Sequence, residues 1–114
     1  MFVTKRVYEK ADKNDGIRVL VDRLWPKKKK KEEAGIDYWM KEIAPSNALR
    51  KWFAHKEERW QEFKSRYHME LKEKKELLKQ LMDLEKDKKV TLLYAAKDDE
   101  RNNAQALLEA LETR

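Results

Sequence analysis

The 114 residues suit a single domain spanning 1–114, because a second core in so short a chain would bury too little surface to hold itself together. Apolar residues make up 40% of the chain, with four Trp, four Tyr and three Phe, so a core is within reach despite 44% charged residues, and a disordered chain is excluded. There is no cysteine, which removes disulfides, thiolate catalysis and cysteine metal sites, and the net charge of +6 is concentrated in the run Lys27–Lys31 rather than spread as a long basic face.

In chain order, Phe2 to Tyr8 alternates Phe2, Thr4 and Arg6 with Val3, Lys5 and Val7, the pattern of a first strand of mixed exposure. Asp12 to Gly16 supplies turn residues. Ile17 to Leu24 follows as a second strand, and its contiguous Val19, Leu20 and Val21 suit a central position covered on both faces. Pro26 ends it, since proline cannot donate to a ladder. A charged connection, Lys27 to Ala34, has a short helical turn at Lys31 to Ala34, closed by Gly35.

Ile36 to Ile43 reads as a third strand, with a short helix as the alternative. Ser46 is placed to cap a helix over Asn47 to Phe53. From Glu57 to about Asp87 the apolar residues Trp60, Phe63, Tyr67, Leu71, Leu78, Leu81 and Leu84 recur at helical steps, predicting a long charged helix with a break near Lys74 or Lys75. Glu62 with Arg66 and Glu70 with Lys74 are spaced as intrahelical ion pairs, each contributing roughly 0.2 to 0.5 kcal/mol. Val90 to Ala96 is a further apolar strand, and Glu100 to Glu112 a final helix. No internal repeat is present. Strands alternating with helices predict an α/β domain with a small, mainly parallel sheet of three or four strands.

The densest chemistry lies where the apolar strands end. Ligands of parallel α/β sheets bind in the crevice beyond the strand carboxyl ends, which is where Asp22, Arg23 and Trp25 stand after one strand and Lys97 and Asp98 after another. Asp22 reads either as an acceptor tying down the next loop or as a general base, and Arg23 as a structural ion pair or an anion clamp. Asp98 is an N-cap of the last helix or part of an anion site with Lys97. His55 at a helix end is a cap or a proton-transfer group, whereas His68 is expected to face solvent. The two histidines are not spaced as a metal site, and no cofactor motif is present. Most of the four Trp are expected in the core.

Val-Leu-Val-Asp-Arg-Leu-Trp-Pro, Asp37-Tyr38-Trp39, Ala44-Pro45-Ser46, Leu49-Arg50-Lys51-Trp52-Phe53 followed by His55, and Thr91-Leu92-Leu93-Tyr94-Ala95-Ala96-Lys97-Asp98 occur in one order along nearly the whole chain. Together they resemble the DUF488 family in its YeaO-like branch, a group of small bacterial and archaeal α/β proteins named for lacking an assigned function. The resemblance selects Asp22, Arg23, Trp25, Pro26, Arg50, Trp52, His55, Lys97, Asp98 and Asn102 as recurrent positions. Three departures stand out. Lys27 and Lys28 replace the usual Arg-Gly after Trp-Pro, Ala54 replaces a Gly or Asn, and Arg101 replaces a His before Asn102.

These readings converge on a cytoplasmic protein that binds a small anionic ligand at the strand ends, with an enzyme of unassigned reaction left open. Asp22, His55 and Asp98 are the expected catalytic groups; Arg23, Trp25, Arg50, Lys97 and Asn102 are the expected ligand contacts. The alternatives are a noncatalytic module that holds nucleic acid weakly through Lys27, Lys28, Lys29, Lys30 and Lys31, and a structural or partner-binding protein. The N-terminus lacks the apolar core of a signal peptide, and no run approaches the roughly 20 residues of a membrane span. No membrane role is therefore expected.

Overall fold

The computed structural model describes residues 1–113, with the side chains of Lys31 and Glu32 outside the description. Four parallel strands, β1 (Phe2–Arg6), β2 (Ile17–Leu20), β3 (Tyr38–Trp39) and β4 (Val90–Tyr94), form one sheet in the order β1-β4-β2-β3. This is the expected α/β arrangement. A short helical turn, α1 (Lys31–Ala34), precedes β3, and four helices, α2 (Asn47–Phe53), α3 (Trp60–Leu71), α4 (Lys75–Glu85) and α5 (Asn103–Glu112), complete the fold. None of these helices is long and apolar enough to cross a membrane.

Strand alternation divides the core into two unequal parts. Val19, Val21, Val90, Leu92 and Tyr94 face the helices and join Phe63, Tyr67, Leu71, Leu81 and Leu107 in the main cluster. Leu20, Leu93 and Val7 point the other way, into a small cluster closed by Tyr8, Trp25 and Ile36. β2 and β4 are central and buried on both faces, which accounts for their continuous apolar runs.

The second face is held by charge. Arg18 of β2 is 5% exposed, and its guanidinium donates to the Asp15 carboxylate and to the carbonyls of Ala34 and Gly35. Lys5 of β1 reaches the same carboxylate at 3.1 Å, and the Thr91 hydroxyl of β4 donates to the Asp15 carbonyl. One acidic residue thus binds three strands. It is positioned by a one-turn helix over Lys13–Asp15, capped by Asp12, and by Gly16 at φ 67°, where a Cβ would lie 2.2 Å from the Lys89 carbonyl oxygen.

Several sequence expectations are corrected. The third strand is two residues long instead of Ile36 to Ile43, because β2 ends at Leu20, whose carbonyl takes a last bond from Met40, and the chain then coils through a single turn that drives Ile43 into the main core. Strands one, two and four also stop short of Tyr8, Leu24 and Ala96, as their ends bend away into loops.

The long helix of the second half is broken where a break was expected, into two helices parted at Lys72 to Lys74. A continuous helix from Trp60 to Glu85 would run about 39 Å at 1.5 Å per residue, longer than the 35 Å maximum extent of the molecule. Glu62 and Arg66 do pair, but Glu70 and Lys74 do not, because the helix ends between them and each turns to the Ala44–Ser46 segment. His68 does not face solvent: it is half-buried, 3.0 Å from the Ala106 carbonyl. None of the four tryptophans is fully buried. Arg59 and Arg66 lie over Trp52, Lys64 lies over Trp60, and Trp25 and Trp39 lie where loops alone cover the sheet.

Arg18→Met should cost about 3 to 5 kcal/mol at pH 7 in urea denaturation, since it strands the buried Asp15 carboxylate. Burial pushes the Asp15 carboxyl up, but the Asp12 N–H, Lys5 and Arg18 outweigh it and hold it below its ordinary value. A carboxyl depressed on folding contributes stability above its unfolded pKa and loses it as pH falls through the folded one. The wild-type advantage over Arg18→Met should therefore be full at neutral pH and decline below about pH 4.

Candidate functional site at the strand carboxyl ends

β2 and β4 end side by side. Val21 donates to the Leu93 carbonyl, and the next rung is made by a side chain: Ala95 N–H donates to the Asp22 carboxylate at 2.9 Å. Asp22 is further fixed through its own carbonyl, which accepts from the Trp39 indole at 2.8 Å. The Asn103 amide at the head of α5 donates to the Val21 carbonyl and lies beside the carboxylate. Burial pushes the Asp22 carboxyl above its ordinary value, against the opposing pull of the Ala95 N–H, Asn103, Arg50 and His55.

Arg50 and His55 lie within electrostatic reach of that carboxylate, and both are exposed. They come from α2 and from the turn that ends it. Ser46 caps α2 as expected, its hydroxyl accepting from Leu49 N–H and donating to Glu70 at 2.6 Å. After Phe53 the chain adopts two consecutive left-handed residues, Ala54 at φ 46° and His55 at φ 55°. The turn is braced by Phe53, whose ring stacks on Phe63 at 4.3 Å and lies 5.8 Å from the imidazole.

The other predicted site residues have structural partners of their own or stand apart from Asp22. Arg23 clamps a corner: its guanidinium donates to the carbonyls of Ala44 and Pro45, with Glu42 3.7 Å away. Lys74 donates to the same Ala44 carbonyl and Glu70 accepts from Ser46, so the Ala44-Pro45-Ser46 motif is gripped from three sides. Trp25 lies on the opposite face of the sheet, donating to the Lys29 carbonyl and meeting the Trp39 ring edge-on at 5.3 Å.

Asp98 does not cap α5. Its carboxylate accepts from the N–H groups of Glu100 and Arg101 and from the Arg101 guanidinium, and these bonds hold its pKa low. The helix starts three residues later than expected, capped by Asn102, which is 1% exposed and accepts from Gln105 N–H. Lys97 is exposed and makes no ion pair among the described residues.

Two contributors were not read from the sequence. Asn103, rather than Asn102, addresses Asp22, and only the true start of α5 distinguishes the two. Arg6 reaches across from β1 to the carbonyls of Ala95 and Ala96. Concavities of about 820 and 530 Å3 lie elsewhere, at the amino end of β2 and at the α3–α4 turn. Among the described residues no three His, Asp or Glu side chains gather as a metal site requires.

The family described as "Inactive DUF488-N3 subclade" matches residues 1–114. The chain belongs to this family. It is 43% identical to the protein called "Uncharacterized protein YeaO" of Escherichia coli (strain K12), over 94% of this chain and 93% of that one. It is 41% identical to "Uncharacterized protein Rv3073c" of Mycobacterium tuberculosis (strain ATCC 25618 / H37Rv), over 96% of this chain and 92% of that one. No solved structure matches it significantly.

Two of the departures from the DUF488 pattern acquire a physical meaning. Lys28, in place of glycine, has φ 64°, and Ala54, in place of Gly or Asn, has φ 46°. Both keep the left-handed backbone that glycine would adopt without strain. The third, Arg101, donates through Nε to Asp98 and lies near Glu57 and Glu100.

Lys28→Gly and Ala54→Gly should each stabilise the protein by about 0.5 to 1 kcal/mol in urea denaturation, the relieved strain exceeding the added unfolded-state entropy. Asp22→Asn should melt at least as high as the wild type at pH 7, its amide oxygen still accepting from Ala95. An acid whose pKa rises on folding weakens the native state above that pKa, and the loss is relieved as pH falls toward the unfolded value. The gap in melting temperature should thus narrow between pH 7 and about pH 4.

Proposed function

We propose that this DUF488-family protein is a noncatalytic binding domain, working in the cytoplasm, that takes a small anionic ligand across the carboxyl ends of β2 and β4. The observation that carries this reading is the pair of consecutive left-handed residues, Ala54 and His55, which sets the imidazole, like the Arg50 guanidinium, within electrostatic reach of the half-buried Asp22 carboxylate. Backbone of this kind costs of order 1 to 3 kcal/mol and concentrates at ligand sites. Arg50 and Lys97 supply exposed positive charge and His55 an exposed imidazole, while Asp22 and Asn103 fix the floor beneath them. Arg23, Trp25 and Asn102 hold the surrounding loops and do not touch the ligand.

A catalytic role for Asp22 or Asp98 is disfavoured by their occupancy, since both carboxylates already accept backbone N–H groups. The family's description as inactive points the same way.

Thermal melts with inorganic phosphate, sulfate and citrate test the site. A ligand at about 100 times its Kd should raise the melting temperature by about 10 °C, and Arg50→Ala or Lys97→Ala should remove most of the rise. Equal shifts in wild type and both variants would reduce the effect to general salting-out and overturn the reading.

A further inference from the structure

The sheet has one edge that the helices leave open. At β3, Tyr38 is 50% exposed and Trp39 39% exposed, on a two-residue strand whose outer side has no partner strand among the described residues. Successive side chains of a strand point to opposite faces, so the two rings look in different directions, and each has its own lysines. Tyr38 lines the 820 Å3 concavity together with Lys13, Lys88 and Lys89. Trp39 has the Lys41 ammonium 5.3 Å from its ring centroid and stands edge-on to Trp25, which holds the loop of Lys27 to Lys30.

Among the described residues none of these lysine ammonium groups forms a salt bridge, whereas Lys5, Lys64 and Lys86 each do. The acids nearby are mostly engaged. Asp37 accepts from the Arg18 N–H, and Glu42 pairs with Arg23. The lysine loop is shaped by aromatic donors: the Tyr8 hydroxyl donates to the Lys27 carbonyl and the Trp25 indole to the Lys29 carbonyl, and neither bond uses a lysine side chain.

We infer that this edge binds a single-stranded polynucleotide, whose phosphates pass between the two lysine groups while its bases stack on Tyr38 and Trp39. Exposed π-faces flanked by unpaired cations match the two demands of a single strand, a backbone charge to neutralise and unstacked bases to cover. An acidic peptide would satisfy the lysines and leave the rings unused. A duplex keeps its bases stacked on one another, out of the rings' reach. This surface adjoins the strand-end site through the Trp39 indole, which donates to the Asp22 carbonyl, and it enlarges the lysine-loop contact read from the sequence by adding the aromatic pair and the lysines at the amino end of the sheet.

The experiment is fluorescence anisotropy with a labelled oligouridylate of roughly 12 nucleotides, titrated at several salt concentrations. Wild type should bind the single strand more tightly than a duplex of equal length. Tyr38→Ala should weaken binding about tenfold, with Tyr38→Phe near wild type. Replacing Lys88 and Lys89 by Gln should lower the slope of log K against log salt by about 0.7 for each phosphate no longer neutralised.

Melting curves establish that each variant is folded, and the exposed position of Tyr38 makes this a mild change; if Tyr38→Ala does not fold, Tyr38→Ser and the double lysine variant decide instead. No binding at low salt would overturn the proposal. So would equal affinity for single strand and duplex, equal affinity for polyglutamate, or binding unchanged by all of these substitutions.

Discussion

The ladder between β2 and β4 runs out of backbone partners at Val21, and its next rung is made by the carboxylate of Asp22 accepting from Ala95. That substitution of a side chain for a carbonyl sets much of what surrounds it. It lets β2 turn away while β4 continues, so the two chain exits diverge and a floor is left between them. The Trp39 indole holds Asp22 from the β3 side and Asn103 holds Val21 from α5, which ties the open edge and the last helix to the same point. A half-buried carboxylate is costly, and the Ala95 N–H donor and the nearby Arg50 are what make it tolerable there.

A second carboxylate does comparable work on the opposite face. Asp15 accepts from Arg18 and Lys5, and its carbonyl accepts from Thr91, in a region where only Val7, Leu20 and Leu93 form a core. Apolar burial is scarce on that side because loops and single helical turns, not the long helices, cover the sheet. An ion-paired brace stands where a helix would otherwise pack, and it explains why strand β2 tolerates an arginine between Ile17 and Val19.

The parallel sheet was legible because β2 and β4 carry uninterrupted apolar runs, and α2 was legible to the residue because Ser46 and Phe53 bracket it. The same reading failed at β3, where alternation from Ile36 to Ile43 arises from residues that enter two different cores across a turn. The break between α3 and α4 has no proline or glycine to mark it, yet the length of the helical pattern placed it near Lys74 or Lys75, and the size of the body the helices must cover accounts for it. At the strand ends, the sequence singled out Asp22, Arg50 and His55, and in the fold Arg50 and His55 are close enough to act electrostatically on the Asp22 carboxylate. It could not distinguish these from Arg23, Asp98 and Asn102, because capping and ligand contact draw on the same residue types. The left-handed turn at Ala54 and His55 was hidden by the absence of glycine.

The grip of Tyr8 and Trp25 on the lysine loop falls on main-chain carbonyls, which every residue type possesses. These two anchors of the loop therefore do not depend on the lysine ammonium groups it displays, and, apart from the left-handed position at Lys28, its charge is a quantity that mutation could raise, lower or reverse while both anchors remain. Shape is kept by two aromatic residues outside the run, and charge by the run itself. The two properties are inherited separately.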